Sequence, residues 1–259
     1  MNASSRLGML DWGIGGVGVF RVLRQLAPRV PVLYCSDSGH TPYGLLGRDA
    51  LAQRVAKVIT HLARRGASSV VIACNAASTV IDMPRVQQLG LSLGVPIIGM
   101  IAPALSLLTK EPGGTLAVIA GARTIRSGVY RRGLARDQRR IVQRIAQPLS
   151  AHIEAGSTGS ARFAEDLTRI LKPLRAADAL LLACTHYPAI AHQIAARLPQ
   201  TRLIDPAEAV ARHLLATHLL PESDAPDRFV TTGDARQMRA AALRAWDLDP
   251  GPCACDRIA

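Results

Sequence analysis

Ser68-Ser69-Val70-Val71-Ile72-Ala73-Cys74-Asn75-Ala76-Ala77-Ser78 is an apolar run that delivers a cysteine. A short run of branched aliphatics bounded by small or polar residues reads as a strand buried on both faces, as in a parallel sheet covered by helices. The pattern returns as Ala179-Leu180-Leu181-Leu182-Ala183-Cys184-Thr185-His186-Tyr187-Pro188. Open α/β sheets bind ligands at the carboxyl ends of their strands, so both runs place a thiol where a ligand is held.

Outward from these two runs, strands are expected near Leu7 to Leu10, Val30 to Cys35, Ser69 to Cys74 and Val95 to Met100. The series restarts at Leu116 to Ala120, Ile141 to Ala146, Ala179 to Cys184 and Arg202 to Ile204. Helical apolar spacing lies between them, most clearly over Val17 to Leu26, Ala50 to Arg64 and Phe163 to Leu171. The second of these closes on Arg64, Arg65 and Gly66, a basic last turn and a terminal glycine. Strands alternating with helices specify parallel α/β sheets. The restart specifies two similar lobes, each with a mainly parallel sheet flanked by helices, and an active site in the cleft between them. The expected division is 1–98 plus 209–259 for the lobe carrying Cys74, and 99–208 for the lobe carrying Cys184. A helix at Glu208 to His218 and a last strand around Phe229 to Thr232 return to the first lobe.

At 259 residues, 49% hydrophobic and 3% aromatic, the chain has the material for a substantial core. No apolar stretch approaches the roughly 20 residues that span a bilayer. The start, Met1-Asn2-Ala3-Ser4-Ser5-Arg6, lacks the basic opening and apolar middle of a secretory signal, so a cytoplasmic location is expected. The cysteines Cys35, Cys74, Cys184, Cys253 and Cys255 are odd in number and without framework spacing, which points to free thiols. Cys253 and Cys255 have no neighbouring His or Cys to complete a zinc site and read as incidental. The net charge of +12 raises the question of nucleic acid. The densest basic cluster, Arg131, Arg132, Arg136, Arg139, Arg140 and Arg144, has a single aromatic neighbour in Tyr130 and reads as a solvated face, not a base-stacking surface.

A buried cysteine is more often packing than catalysis. Here each is followed at once by a polar residue, Asn75 or Thr185, able to donate a hydrogen bond to a carboxylate. Two thiols facing one carbon suit cofactor-free racemisation: one thiolate removes the proton from Cα while the opposite thiol delivers one to the other face. A free thiol, with a pKa of about 8.5, is only slightly ionised near neutrality and needs assistance. His186 is the candidate assistant of Cys184, as proton holder or imidazolium. Asp11 is the candidate assistant of Cys74, as proton acceptor, because its negative charge disfavours the thiolate. The bland alternatives are a satisfied structural histidine and a helix N-cap before Gly13. Lys57, Lys110 and Lys172 are poorly placed to hold pyridoxal phosphate. A rival is Gly13-Ile14-Gly15-Gly16-Val17-Gly18, a G-x-G-x-x-G run with Asp37 near the distance of a ribose-binding acid, which would make the chain a dinucleotide-binding oxidoreductase. The same glycines also fit a turn that opens a helix toward a substrate carboxylate.

Further motifs run nearly end to end. Asp11-Trp12-Gly13-Ile14-Gly15-Gly16, Pro42-Tyr43-Gly44, Ala73-Cys74-Asn75 and Ala183-Cys184-Thr185-His186-Tyr187-Pro188 occur in that order. Ser127-Gly128-Val129-Tyr130, Ile204-Asp205 with Ala207-Glu208, and Thr231-Thr232-Gly233-Asp234 support them. On these residues the chain resembles the glutamate racemases of the aspartate/glutamate racemase superfamily. The resemblance implies Cys74 and Cys184 as the acid/base pair, assisted by Asp11 and His186. It implies substrate contacts at Asp11, Trp12, Tyr43, Gly44, Asn75, Ala76, Thr185 and His186, and further assisting carboxylates at Asp37 and Glu154. It also implies no cofactor or metal, an amino-acid substrate, a homodimer as is frequent in the family, and supply of D-glutamate for peptidoglycan; no membrane partner is expected from the lack of a long apolar stretch. Three positions depart from the family pattern: Trp12 stands for Ser, Ala76 for Thr, and Gln147-Pro148 for Cys-Pro. Two lost hydroxyls would cost about 1 kcal/mol each if both bonded the substrate. A racemase or isomerase of the superfamily with another substrate, a single-thiol enzyme and a non-catalytic relative are the alternatives.

Overall fold

The stretch around Leu7 to Leu10 forms β1 (Arg6–Asp11), buried at all six positions, in a computed structural model that describes residues 5–110, 113–135 and 138–258. β2 (Val32–Ser36), β3 (Ala67–Ile72) and β4 (Ile97–Gly99) follow, then β5 (Thr115–Ala120), β6 (Arg140–Ile145), β7 (Ala179–Ala183) and β8 (Arg202–Ile204). β9 (Arg228–Thr231) and β10 (Cys253–Cys255) come last. They form two sheets, ordered β10-β9-β2-β1-β3-β4 and β6-β5-β7-β8. Every pairing is parallel.

The two sheets share one connectivity. In each, the chain leaves a first strand for a neighbour on one side, then crosses back to pair on the other side, giving β2-β1-β3-β4 and β6-β5-β7-β8. The switch points therefore fall between β1 and β3 and between β5 and β7, where such sheets open a crevice at their carboxyl ends. Cys74 follows β3 and Cys184 follows β7, so topologically equivalent strand ends carry the two thiols. β9 pairs with β2, with Tyr34 opposite Phe229, which returns the late strand to the first sheet.

Helix Gly16–Leu26 buries Val17, Val19, Phe20 and Leu23, and helix Ala207–Ala216 buries Val210, Ala211 and Leu214. These residues join Leu180 and Leu182 of β7 in one apolar cluster, so the second sheet and the helix that follows β1 share a core. Each such side chain contributes about 1.5–3 kcal/mol on burial. Gly66, at φ +92°, turns helix Arg48–Arg64 directly into β3. Only a residue without Cβ adopts that conformation freely.

Some details differ from expectation. The helix expected to reach His218 stops at Ala216, because His218 takes a left-handed conformation at φ +53°. The Cys253 and Cys255 pair forms the edge strand β10, with Cys253 Sγ 3.4 Å from Met238 Sδ and Cys255 Sγ 3.4 Å from the Gly233 carbonyl. Arg136 of the basic cluster lies outside the described residues. Among the described residues, no helix is long and apolar enough to cross a membrane.

Candidate active site

The two switch points face one cavity of about 1020 Å³. Asp11, Cys74 and Asn75 reach it from the first sheet, and Gly121, Cys184 and Thr185 from the second. Trp12, Tyr43, Gly44, Ala76, His186 and Glu154 also line it, whereas Asp37 does not. Apart from Asp37, every residue singled out in the sequence as catalytic, substrate-binding or assisting is thus brought to this cleft.

His186 is buried between Glu154 and Cys184. Its Nε2 lies 2.6 Å from Glu154 Oε1 and its Nδ1 3.8 Å from Cys184 Sγ. The Glu154 carboxylate accepts from Nε2–H, and at Nδ1 the ring either donates to a Cys184 thiolate or accepts from the Cys184 thiol, so the pair can share a proton. Burial alone would lower the His186 pKa; the hydrogen bonds to Cys184 and Glu154, with their charges, outweigh it and hold the pKa well above 6.5. The stability from this arrangement is therefore fully present below the ordinary imidazole value and is lost as pH rises through the elevated folded value. Glu154 is fixed in turn by the Ile14 amide, which donates to Oε1 at 2.8 Å. Glu154→Gln removes the anion, and NMR titration of the His186 ring is expected to show its pKa falling by about one unit or more. An unchanged titration would mean that Glu154 does not hold the proton on His186.

On the opposite wall, Asp11 is fully buried and its Oδ2 accepts the Gly16 amide at 2.7 Å. Burial raises the Asp11 pKa against the lowering pull of His186 and of the Cys74 thiol. Burial, and then the Asp11 charge, push the Cys74 thiol well above its usual range. Cys74 is therefore a protonated thiol at neutrality, in a suitable state to donate. Asn75 Oδ1 accepts from Tyr130 Oη at 2.7 Å, which reaches across from the second lobe and orients the amide. Asp11 Oδ1, Ser36 Oγ and Asn75 Nδ2 are buried without a hydrogen-bond partner among the described residues, and all three side chains line the cavity. Orphaned buried polar atoms are costly unless a ligand satisfies them. Ser36, opposite Asp11 in the β1–β2 register, was not singled out in the sequence. Its only signal there was its place at a strand end.

Asp37 does not serve as an assisting carboxylate in the cleft. Its oxygens are taken by Arg54 Nε at 2.8 Å, Arg54 Nη2 at 2.6 Å, Tyr43 Oη at 2.7 Å and Thr232 Oγ1 at 2.9 Å. Asp37 instead positions Tyr43 on the cavity wall. The Trp12 indole is also held, by a 2.9 Å hydrogen bond from Nε1 to the His40 carbonyl, and it packs against the apolar cluster of the first sheet.

Residues 8–214 match the family described as Asp/Glu/Hydantoin racemase. The chain belongs to that family. A glutamate racemase from Stutzerimonas stutzeri is 34% identical over 257 residues, covering 95% of each chain. A glutamate racemase isoform from Bacillus anthracis superposes with a TM-score of 0.87 at 25% identity over 99% of both chains. A Francisella tularensis glutamate racemase, solved with D-glutamate, shares the fold with a TM-score of 0.86 at 24% identity, over 99% of this chain and 98% of that one. As a member of this racemase family, the protein is an isomerase.

Its glycine-rich turn has a steric purpose in the racemase fold. A Cβ at Gly13 would overlap Glu154 Oε1, one at Gly15 would lie 2.5 Å from His186 Nδ1, and one at Gly18 would lie 2.5 Å from the Trp246 ring. The glycines admit the Glu154–His186 pair and Trp246, whose Nε1 donates to the Ile14 carbonyl at 2.8 Å. Packing against those side chains accounts for the glycines without a dinucleotide, which counts against the oxidoreductase alternative.

Proposed function

We propose that this racemase interconverts L- and D-glutamate by a two-base proton transfer between Cys74 and Cys184, without a cofactor. The observation that carries this is the arrival of both thiols at one cavity from equivalent ends of two sheets of the same connectivity. One sulfur, as thiolate, takes the proton from Cα. The electron pair passes into the adjacent carboxylate system, and the opposite thiol delivers its proton to the other face. The roles exchange for the other enantiomer, so each turnover leaves the pair ready for the reverse reaction.

The two sides are assisted unequally. Protonated His186 stabilises a thiolate at Cys184, while buried Asp11 accepts a proton from Cys74 when that residue must act as base. Asn75 Nδ2 and Thr185 are the donors to the substrate carboxylate. The tether of Trp12 to His40 keeps the indole against the wall, which supports glutamate as substrate despite the loss of a serine hydroxyl at that position. In this assignment the enzyme supplies D-glutamate for peptidoglycan in the cytoplasm.

Incubation of the protein with L-glutamate in deuterated water tests the proposal. NMR and polarimetry should show deuterium entering Cα as optical rotation decays to zero. Absence of both would sink it, and faster exchange of another amino acid, with Trp12 and Ala76 shaping the choice, would replace glutamate as the substrate.

A further inference from the structure

Three sulfur-bearing side chains gather at the edge of the first sheet. Cys253 and Cys255 lie two apart on β10, so both project from one face of the strand. Helix Ala235–Trp246 approaches that face: Cys253 Sγ lies 3.4 Å from Met238 Sδ on the helix, and Cys255 Sγ lies 3.4 Å from the Gly233 carbonyl just ahead of it. Met238 is buried, Cys253 is half-buried and Cys255 is exposed, so the group opens to solvent from one side.

The carboxylates nearby are committed elsewhere. Asp256 points to the other face of the chain by strand alternation, and its oxygens are taken by His61 Nε2 at 2.9 Å and Arg65 Nη2 at 2.7 Å. Asp234 caps the helix, its Oδ1 accepting the Gln237 amide at 2.8 Å. Among the described residues no three His, Cys, Asp or Glu side chains converge as ligands, so a zinc ion lacks its donor set here. What remains are two thiols and a thioether, the ligands that select Cu(I). A disulfide between the cysteines fits the strand poorly. Residues two apart rise about 6.6 Å along a parallel strand, whereas the Cβ atoms of a cystine lie about 3.8 Å apart. An ion held by two metal–sulfur bonds of about 2.3 Å each spans roughly twice the length of an S–S bond and closes that gap. Burial, and then the charges of Cys255 and Asp256, push the Cys253 thiol up to about 11, so at neutrality it keeps its proton until a cation displaces it.

We propose that Cys253, Cys255 and Met238 form a binding site for a soft monovalent metal ion, Cu(I), which clasps helix Ala235–Trp246 to the edge strand β10. The cysteine pair read as incidental in the sequence for want of a further ligand; the fold supplies it as the thioether of Met238. Cys255, exposed, is the point of entry, and the Cys253–Met238 contact already brings two sulfurs together. Met238 shares its helix with Gln237 and Ala241, which line the catalytic cavity with it. The ion therefore braces the cavity wall and takes no part in the proton transfer.

Anaerobic titration of Cu(I) into the full chain, in competition with the chromogenic chelator bicinchoninate, tests this without requiring turnover. The parent chain is expected to withdraw a single Cu(I) from the chelator. Cys255→Ser and Met238→Leu should each weaken binding at least about tenfold, the loss that even an outer-shell change brings to a metal site. Cys253→Ser/Cys255→Ser should abolish it. Cys255 is exposed on an edge strand, so its replacement should leave the melting temperature unchanged. Cys74→Ser/Cys184→Ser should retain the ion, which separates this site from the thiols of the cleft. X-ray absorption at the copper edge should show sulfur neighbours, with one fewer in Met238→Leu. Failure to withdraw Cu(I), undiminished binding by Cys253→Ser/Cys255→Ser, loss of the ion in Cys74→Ser/Cys184→Ser, or displacement of Cu(I) by equimolar Zn(II) would each overturn the proposal.

Discussion

Cys74→Ser and Cys184→Ser should each lower racemisation about 10²- to 10⁴-fold, the range that a positioned acid or base supplies. Serine preserves shape and the ability to hydrogen-bond, but its hydroxyl is far too weak an acid to exist as the anion near neutrality. The sharper expectation concerns what survives. With Cys74 gone, the Cys184 thiolate still removes the proton from the enantiomer whose Cα–H faces it, and returns a solvent-derived deuteron to the same face. With Cys184 gone, Cys74 does so for the opposite enantiomer. Each variant in deuterated water should therefore exchange one enantiomer without inversion, and the two variants should be complementary. Exchange of the same enantiomer by both variants, or full racemisation by either, would rule out two bases on opposite faces. Cys74→Ser should leave the titration of His186 intact, because Asp11 and not His186 stands beside the lost thiol.

The strand-to-cysteine runs were legible because a fully buried parallel strand has few sequence solutions, and Ala67–Ile72 and Ala179–Ala183 fit the pattern. The likeness of the two lobes was legible for the same reason, since the apolar runs recur in the same order, but the strand order within each sheet was read only from the structure. The wiring between the lobes was not. Glu154 lies 140 positions from Ile14 and 32 from His186, so no local pattern links the Ile14 amide and the two side chains that the fold brings together. The G-x-G-x-x-G run misled because a steric demand for glycine looks the same in sequence whether a phosphate or a glutamate side chain is the close neighbour. Trp12 could not be oriented without the His40 carbonyl that captures its indole. Asp37 invited a reading as a ribose-binding or assisting acid because its partner Arg54 sits inconspicuously on an amphipathic helix.

Arg54→Ala should be the most destabilising change on the first lobe's side of the cleft. Arg54 and Asp37 form a two-pronged ion pair at 2.6 and 2.8 Å, with side chains 9% and 0% exposed. Removing the cation leaves the carboxylate buried without a countercharge, which costs about 3–5 kcal/mol. For a chain of this size that corresponds to roughly a 10 °C fall in melting temperature. The loss propagates along identifiable bonds. Arg54 Nη1 also donates to the Ile258 carbonyl at 2.8 Å, so the end of the described chain loosens from helix Arg48–Arg64. Tyr43 Oη and Thr232 Oγ1 both lean on Asp37, so the cavity wall and the residue after β9 lose their common anchor. KM should therefore rise more than kcat falls, because Tyr43 lines the cavity while both thiols remain in place. The double variant Asp37→Leu/Arg54→Met removes the pair without stranding a charge and should recover much of the lost melting temperature, while KM stays raised because Tyr43 still lacks its acceptor. A melting temperature for Arg54→Ala within 2 °C of the parent, measured by differential scanning calorimetry, would show that the pair does not hold this wall together.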